Sequence, residues 1–190
     1  MVLLQPRPLC PHRTCMTDTT SAPAASSGGF THESTRNESF EWYTPPVIFD
    51  ALDLEFDLDP CSPGAGQSFV PARKHYTIDD DGLTSPWEGT VFMNPPYGSH
   101  TPVWMKKLAE HGDGIALVFA RTDVRWFQDV AGGASLVCFV SGRIKFYKGN
   151  ITEQGGTPGA GSMLVAFGEK SAKALLEADL GLCFVPVPGQ

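Results

Sequence analysis

Asn94-Pro95-Pro96-Tyr97 is the segment of this chain best suited to chemistry, because it follows the strand-like run Thr90-Val91-Phe92-Met93. In open α/β sheets, ligands bind outside the carboxyl ends of the strands. Proline fixes φ and has no N–H, so Pro95 and Pro96 stop the strand and stiffen the backbone. With no proline N–H to serve as turn partner, the adjacent carbonyls are available as outward-facing acceptors. Asn94 adds a side-chain carbonyl oxygen and Tyr97 a flat aromatic face. Acceptors converging beside a stacking ring suit a planar substrate with an amino group, such as the exocyclic amine of a nucleobase. The competing reading is structural. Asn and Pro both favour turns for local reasons, and the segment then does no more than end a strand.

The elements that must position this segment are legible around it. The ordered region begins near Phe40, and Pro45 and Pro46 suit the first turn of a helix. Val47, Ile48, Ala51 and Leu52 supply its apolar stripe. Phe56-Asp57-Leu58-Asp59 reads as a short strand ended by Pro60, and Ser62 to Gly66 as a loop. His75 to Ile78 is expected as a second short strand before Asp79-Asp80-Asp81-Gly82. Ser99 or Thr101 is expected to cap a helix containing Val103, Trp104, Lys107 and Leu108. Gly114 to Ala120 is an uninterrupted apolar run, as in a buried parallel strand. Asp123 is expected to cap a helix around Trp126 and Phe127. Strands then follow at Leu136–Val140 and Arg143–Phe146, with a Gly-rich stretch from Gly149 to Gly161. Ser162–Phe167 reads as another strand and Ser171–Glu177 as a short helix. Strands alternating with helices indicate a layered α/β sheet, and no internal repeat is visible.

The composition fits one soluble domain: 190 residues, 42% hydrophobic and 18% charged. Residues 1–38 are rich in Thr, Ser, Pro, Ala and Gly without hydrophobic period. They read as a disordered tail, leaving 39–190 as a single domain, with Met16 an alternative start. No apolar stretch approaches the roughly 18 residues that span a bilayer, and the first residues are too Pro-broken for a signal-peptide core. Five cysteines at scattered spacing argue against a disulfide framework and for a reducing cytoplasm. Cys10, His12 and Cys15 lack a fourth ligand, so no metal is expected. A net charge of −7 counts against a simple basic nucleic-acid surface. Between Arg121 and Lys148, however, five bases outnumber Asp123 and Asp129, an excess suited to phosphates or merely to a solvated face.

Several segments fall into one order: Trp42-Tyr43-Thr44-Pro45, Asp59-Pro60-Cys61, Asp81-Gly82-Leu83, Trp87, Asn94-Pro95-Pro96-Tyr97 and Gly142-Arg143-Ile144-Lys145-Phe146. From Glu41 to Phe167 this order resembles the phage-type DNA N6-adenine methyltransferases, amino-methyltransferases that use S-adenosylmethionine. The tetrapeptide alone also occurs in enzymes that methylate RNA or a protein glutamine amide; the ordered set is more specific. The resemblance implies a Rossmann-like methyltransferase fold, largely parallel, with helices on both faces and an antiparallel strand near the C-terminus. It implies site-specific methylation of adenine N6 in DNA, in a bacterial host cytoplasm. Asn94 and the Pro95 carbonyl would hold the N6 amine, Pro96 would keep the loop rigid, and Tyr97 would stack on the flipped base.

On the cofactor side, the resemblance assigns Trp42, Thr44 and Pro45 to the methionine end. It assigns Asp59 to a ribose hydroxyl or the ammonium, and Asp81 to the cofactor's adenine amine. For Asp59 the competing reading is a turn, and for Asp81 a solvated charge run. Arg121, Arg143 and Lys145 are candidates for DNA phosphate; the alternatives are an Arg121–Asp123 ion pair and ordinary strand polarity. The family commonly shows Asp-Pro-Phe-x-Gly-x-Gly, whereas Asp59 to Gly66 carries one extra residue and Pro63, which leaves Gly64 and Gly66 open. The short spacing from Asp59 to Asn94 leaves no room there for a target-recognition domain. Cys61 reads as packing. A degenerate methyltransferase fold acting as a DNA-binding module is the non-enzymatic alternative.

Overall fold

A computed structural model describes residues 41–187. The tail assigned to residues 1–38, the alternative start at Met16 and the Cys10, His12, Cys15 grouping lie outside the described residues. In chain order the elements are β1 (Trp42–Tyr43), α1 (Pro46–Leu52), β2 (Phe56–Asp59), β3 (Ala72–His75), β4 (Val91–Met93) and α2 (Thr101–His111). They continue with β5 (Gly114–Phe119), α3 (Arg125–Ala131), β6 (Leu136–Val140), β7 (Tyr147–Lys148), β8 (Ser162–Phe167), α4 (Glu169–Glu177) and β9 (Gly181–Phe184).

Among the described residues, seven strands form one sheet in the order β3-β2-β4-β5-β8-β6-β9. The β3, β2, β4 and β5 end is parallel. Strand β8 runs against both β5 and β6, and β9 runs against β6. The antiparallel strand expected near the C-terminus is therefore β8, and β9 adds a second. No helix intervenes between β6 and β8, so the chain turns back at the edge it has just reached, which forces an antiparallel return. β1 and β7 leave the large sheet and form a two-stranded antiparallel ribbon, with Trp42 opposite Lys148 and Tyr43 opposite Tyr147.

Helices cover both faces because the central strands are apolar on both. In β5, Ala116 and Val118 join α2 and α3 residues such as Met105, Leu108 and Phe127. Ile115 and Leu117 join α1 and α4 residues such as Phe49, Leu52 and Leu175 on the other face. Fully buried Phe92 anchors that second face, its ring 4.8 Å from that of Phe49 and 5.3 Å from that of Phe56. No helix among the described residues is long and apolar enough to cross a membrane.

Four expectations are corrected. Arg143–Phe146 is not a strand: Ile144 and Phe146 are buried and Arg143 and Lys145 exposed, but pairing begins only at β7. An alternating pattern reports burial and not a ladder. The strand near His75 is Ala72–His75, because parallel pairing ends where Asp59 lies opposite His75; Ile78 is 95% exposed in the turn beyond. Thr101 and Ser99 do not cap α2; His100 holds that position, and Thr101 Oγ1 donates to the Pro96 carbonyl at 3.2 Å. Asp123 does not cap α3, whose N-cap is Val124.

Gly114 begins β5 at φ +153°, and a Cβ there would stand 2.3 Å from the Val91 carbonyl oxygen. Gly114→Ala is expected to destabilise the fold by about 1–3 kcal/mol through backbone overpacking. Denaturant titration checks this as a lower midpoint at unchanged slope.

Candidate active site

Strands β2 and β4 are neighbours, with Leu58 opposite Val91. From β2 the chain moves outward to β3, and from β4 it moves the other way to β5. The two connections diverge at the carboxyl ends, which is the topological switch point where open α/β sheets bind ligands. Asp59 closes β2 and Asn94 follows β4 directly, so the sheet delivers both to this crevice.

Asn94 is bonded through both ends of its amide. Nδ2 donates to the Trp42 carbonyl at 2.6 Å, and Oδ1 accepts from the Tyr97 hydroxyl at 2.9 Å. A backbone carbonyl only accepts, so the nitrogen must face Trp42 and the oxygen must face Tyr97. Oδ1 keeps a second lone pair. Burial pushes the Tyr97 phenol well above its ordinary value, so its hydroxyl remains a neutral donor. The Tyr97 ring lies 3.8 Å from Phe119, at the end of β5, with the planes 7° apart. A base stacking on Tyr97 therefore uses the opposite face. Phe119 was missed in the sequence; its signal is that it ends the apolar run on the strand beside β4.

Asp59 is buried within a network. Its Oδ1 accepts from the Cys61 N–H at 3.2 Å and its Oδ2 from Ser68 Oγ at 3.4 Å, while His75 Nδ1 lies 3.6 Å from Oδ2. Ser62 Oγ pairs with His75 Nδ1 at 3.0 Å and accepts from the Gly64 N–H at 3.0 Å, coupling the carboxylate to the glycine loop. The Asp59 hydrogen bond raises the His75 pKa, against an opposing effect of burial. Burial and then Asp59 push the Cys61 thiol well up, so it stays protonated and is no nucleophile.

Asp81 sits nearby, since a Cβ on the next residue, Gly82, would fall 2.1 Å from the Pro60 carbonyl. Its carboxylate is exposed and closes a turn, accepting from the Leu83 N–H at 3.2 Å and Thr84 Oγ1 at 2.8 Å. Lys107 pins this segment by donating to the carbonyls of Gly82, Leu83 and Ser85 at 3.1, 2.7 and 2.6 Å. Thr44 is buried, and its Oγ1 has no hydrogen-bond partner among the described residues. No described residue lies within 4 Å of a Cβ built on Gly66. A buried hydroxyl awaiting a partner, a buried carboxylate and an open glycine position fit a polar cofactor.

The basic candidates gather at the same edge but do different things. Arg121 is exposed just beyond β5. Arg143 donates through Nη1 to the Pro158 carbonyl at 3.1 Å, tying the Gly149–Gly161 loop to the segment after β6. Lys145 is exposed, and its carbonyl accepts from Gln154 Nε2 at 3.2 Å.

An open α/β sheet of this topology, with its polar residues gathered at one switch point, is a methyltransferase fold. The family model for DNA N-6-adenine-methyltransferase (Dam) matches residues 31–178, more than half of the 190 residues, and the chain belongs to that family. No curated protein matches the chain significantly.

Two outcomes follow from the cofactor side. Thr44→Val removes the unpartnered hydroxyl at constant shape, so the ligand-free protein is expected to gain about 1–3 kcal/mol. A polar ligand seated on Thr44 Oγ1 would stabilise the variant less than wild type, which a thermal-shift assay with S-adenosylmethionine as the probe checks; an equal shift in both would separate Thr44 from the ligand site. The raised His75 pKa stabilises the fold fully below the ordinary histidine value of 6.5, and that contribution is lost as pH rises through the folded value. The stability difference between wild type and His75→Gln, measured by denaturation, is therefore expected to be largest in acid and to shrink above about pH 6.5.

Proposed function

We propose that the protein transfers a methyl group from S-adenosylmethionine to the N6 amine of adenine at a defined sequence in DNA. The observation that carries this reading is the Asn94 amide, held so that an acceptor lone pair remains beside the Tyr97 ring. An adenine inside a duplex is out of reach, so it must be extruded at a cost of a few kcal/mol. Stacking on Tyr97 recovers about 1–3 kcal/mol. Asn94 Oδ1 and the Pro95 carbonyl then accept the two N6 hydrogens. In free adenine the N6 lone pair is delocalised into the ring, and these two bonds hold the nitrogen so that the pair can be directed out of it. Thr101 occupies the Pro96 carbonyl instead, which keeps the two prolines fixed to α2.

When bound, the cofactor supplies an activated sulfonium methyl group. Trp42, Thr44, Pro45 and Asp59 would hold it, with Asp81 on the exposed turn. Positioning is then the main contribution of the protein, and no covalent enzyme intermediate is required. Arg121 and Lys145 meet DNA phosphate, and Arg143 sets the loop beside them. Residues 39–190 act as a single catalytic domain in the cytoplasm of a bacterial host, on phage or prophage DNA.

Methylation-sensitive sequencing of DNA from cells expressing the protein is expected to show N6-methyladenine at one motif. Asn94→Ala should lower kcat/KM at least about a hundredfold, as for other positioned polar groups. Tyr97→Phe keeps the ring and loses one neutral hydrogen bond, so about a two- to tenfold loss is expected. No methyl label in DNA, or label only in RNA or protein, would overturn the reading.

A further inference from the structure

Tyr97 is the stacking surface in the proposed mechanism, yet little in its own segment holds it. It lies outside any helix or strand, between exposed Pro96 and exposed Gly98 at φ +107°. Its hydroxyl bond to Asn94 fixes the tip of the side chain. That bond cannot fix the plane. The phenolic oxygen lies on the axis through Cβ, Cγ and Cζ, so the ring can rotate about χ2 without moving it. For a tyrosine this torsion is broad and has no steep staggered wells.

Phe119 supplies what is missing. Its ring lies 3.8 Å from that of Tyr97 with planes 7° apart, so rotation of Tyr97 about χ2 would drive an edge into it. Phe119 itself is firmly placed. It is 8% exposed and lies opposite Ser162 in the β5–β8 ladder. Just beyond it, the Ala120 N–H donates to the Gly161 carbonyl at 2.8 Å. We infer that Phe119 is a positioning residue that locks the plane of Tyr97, so that an extruded base meets a preset stacking face. This inference rests on the proposed adenine methylation. Two orthogonal restraints, a hydrogen bond at the tip and a ring against one face, leave Tyr97 ordered before substrate arrives. The base then does not bear the entropy of ordering its own platform.

The opposite role for this ring is a placeholder occupying the position of the base. The two roles predict opposite signs. Phe119→Leu, which removes the ring and keeps apolar bulk, and Phe119→Tyr, which keeps the ring, are compared with wild type in the full chain, with thermal melting to verify folding. In the protein alone, NMR should show the Tyr97 ring protons shifted upfield by the neighbouring ring. Phe119→Leu should abolish that shift and Phe119→Tyr should retain it. An unchanged shift in Phe119→Leu overturns the inference.

On unmodified duplex DNA, Phe119→Leu should lower kcat about two- to tenfold, the range of a lost aromatic pair. KM for DNA, governed largely by phosphate contacts, should move less. Phe119→Tyr should restore turnover. Faster turnover in Phe119→Leu would identify a placeholder and overturn the inference. An inactive wild type would instead overturn the methylation reading, a result distinct from an active wild type with an indifferent Phe119→Leu.

Discussion

The hydrogen bond from Asn94 Nδ2 to the Trp42 carbonyl, at 2.6 Å and across 52 residues of chain, organises the site. A primary amide can present either end to a substrate, and the two orientations have opposite chemistry. Here the partner is a carbonyl, which cannot donate, so only one orientation survives. That places a donor on the structural side and an acceptor on the open side. The bond depends in turn on β1 being where it is. β1 is held by its ladder to β7, and the Trp42 ring packs edge-on against buried Phe146 at 5.9 Å. A distant ribbon thereby sets the chemistry of a loop.

The sheet explains why the other groups meet there. Strands β2, β4, β5 and β6 share a direction, so Asp59, Asn94, Arg121 and Arg143 all emerge at one edge. β8 runs the other way and starts at that edge, which returns the Gly149–Gly161 loop to it. The loop is then bonded back onto the chain before it, by Arg143 to Pro158 and by the Gly155 N–H to the Phe146 carbonyl. On the opposite side of the crevice, the segment from Gly82 to Ser85 has no helix or strand to order it. Lys107 orders it through three carbonyls, although burial pulls the ammonium below its ordinary pKa against the pull of Asp81. Oriented carbonyls replace the water that Lys107 loses.

Much of the fold was legible because it depends on local rules. Phe56–Asp59, Leu136–Val140 and Ser162–Phe167 are strands at the predicted bounds, each a short apolar or alternating run with chain breakers nearby. Arg143–Phe146 was misread because its alternating burial is genuine while its ladder is absent. Within the site, Asn94 and Tyr97 were legible as a tetrapeptide at a strand end. Phe119, His75 and Lys107 were not, since each acts through a partner that only strand order brings near: β4 beside β5, β2 beside β3, and α2 against the turn at Gly82.

The sequence by itself determined which groups this protein has available and where its strands stop, because proline geometry, apolar runs and residue chemistry are properties of short segments. It also carried the family order from Trp42 to Phe146. Tertiary structure alone decided the orientation of the Asn94 amide, the stacking of Tyr97 on Phe119 and the burial of the Thr44 hydroxyl without a partner among the described residues. Each is a relation between residues far apart in the chain. Such relations are fixed by sheet order and packing, on which the local pattern of any one segment is silent.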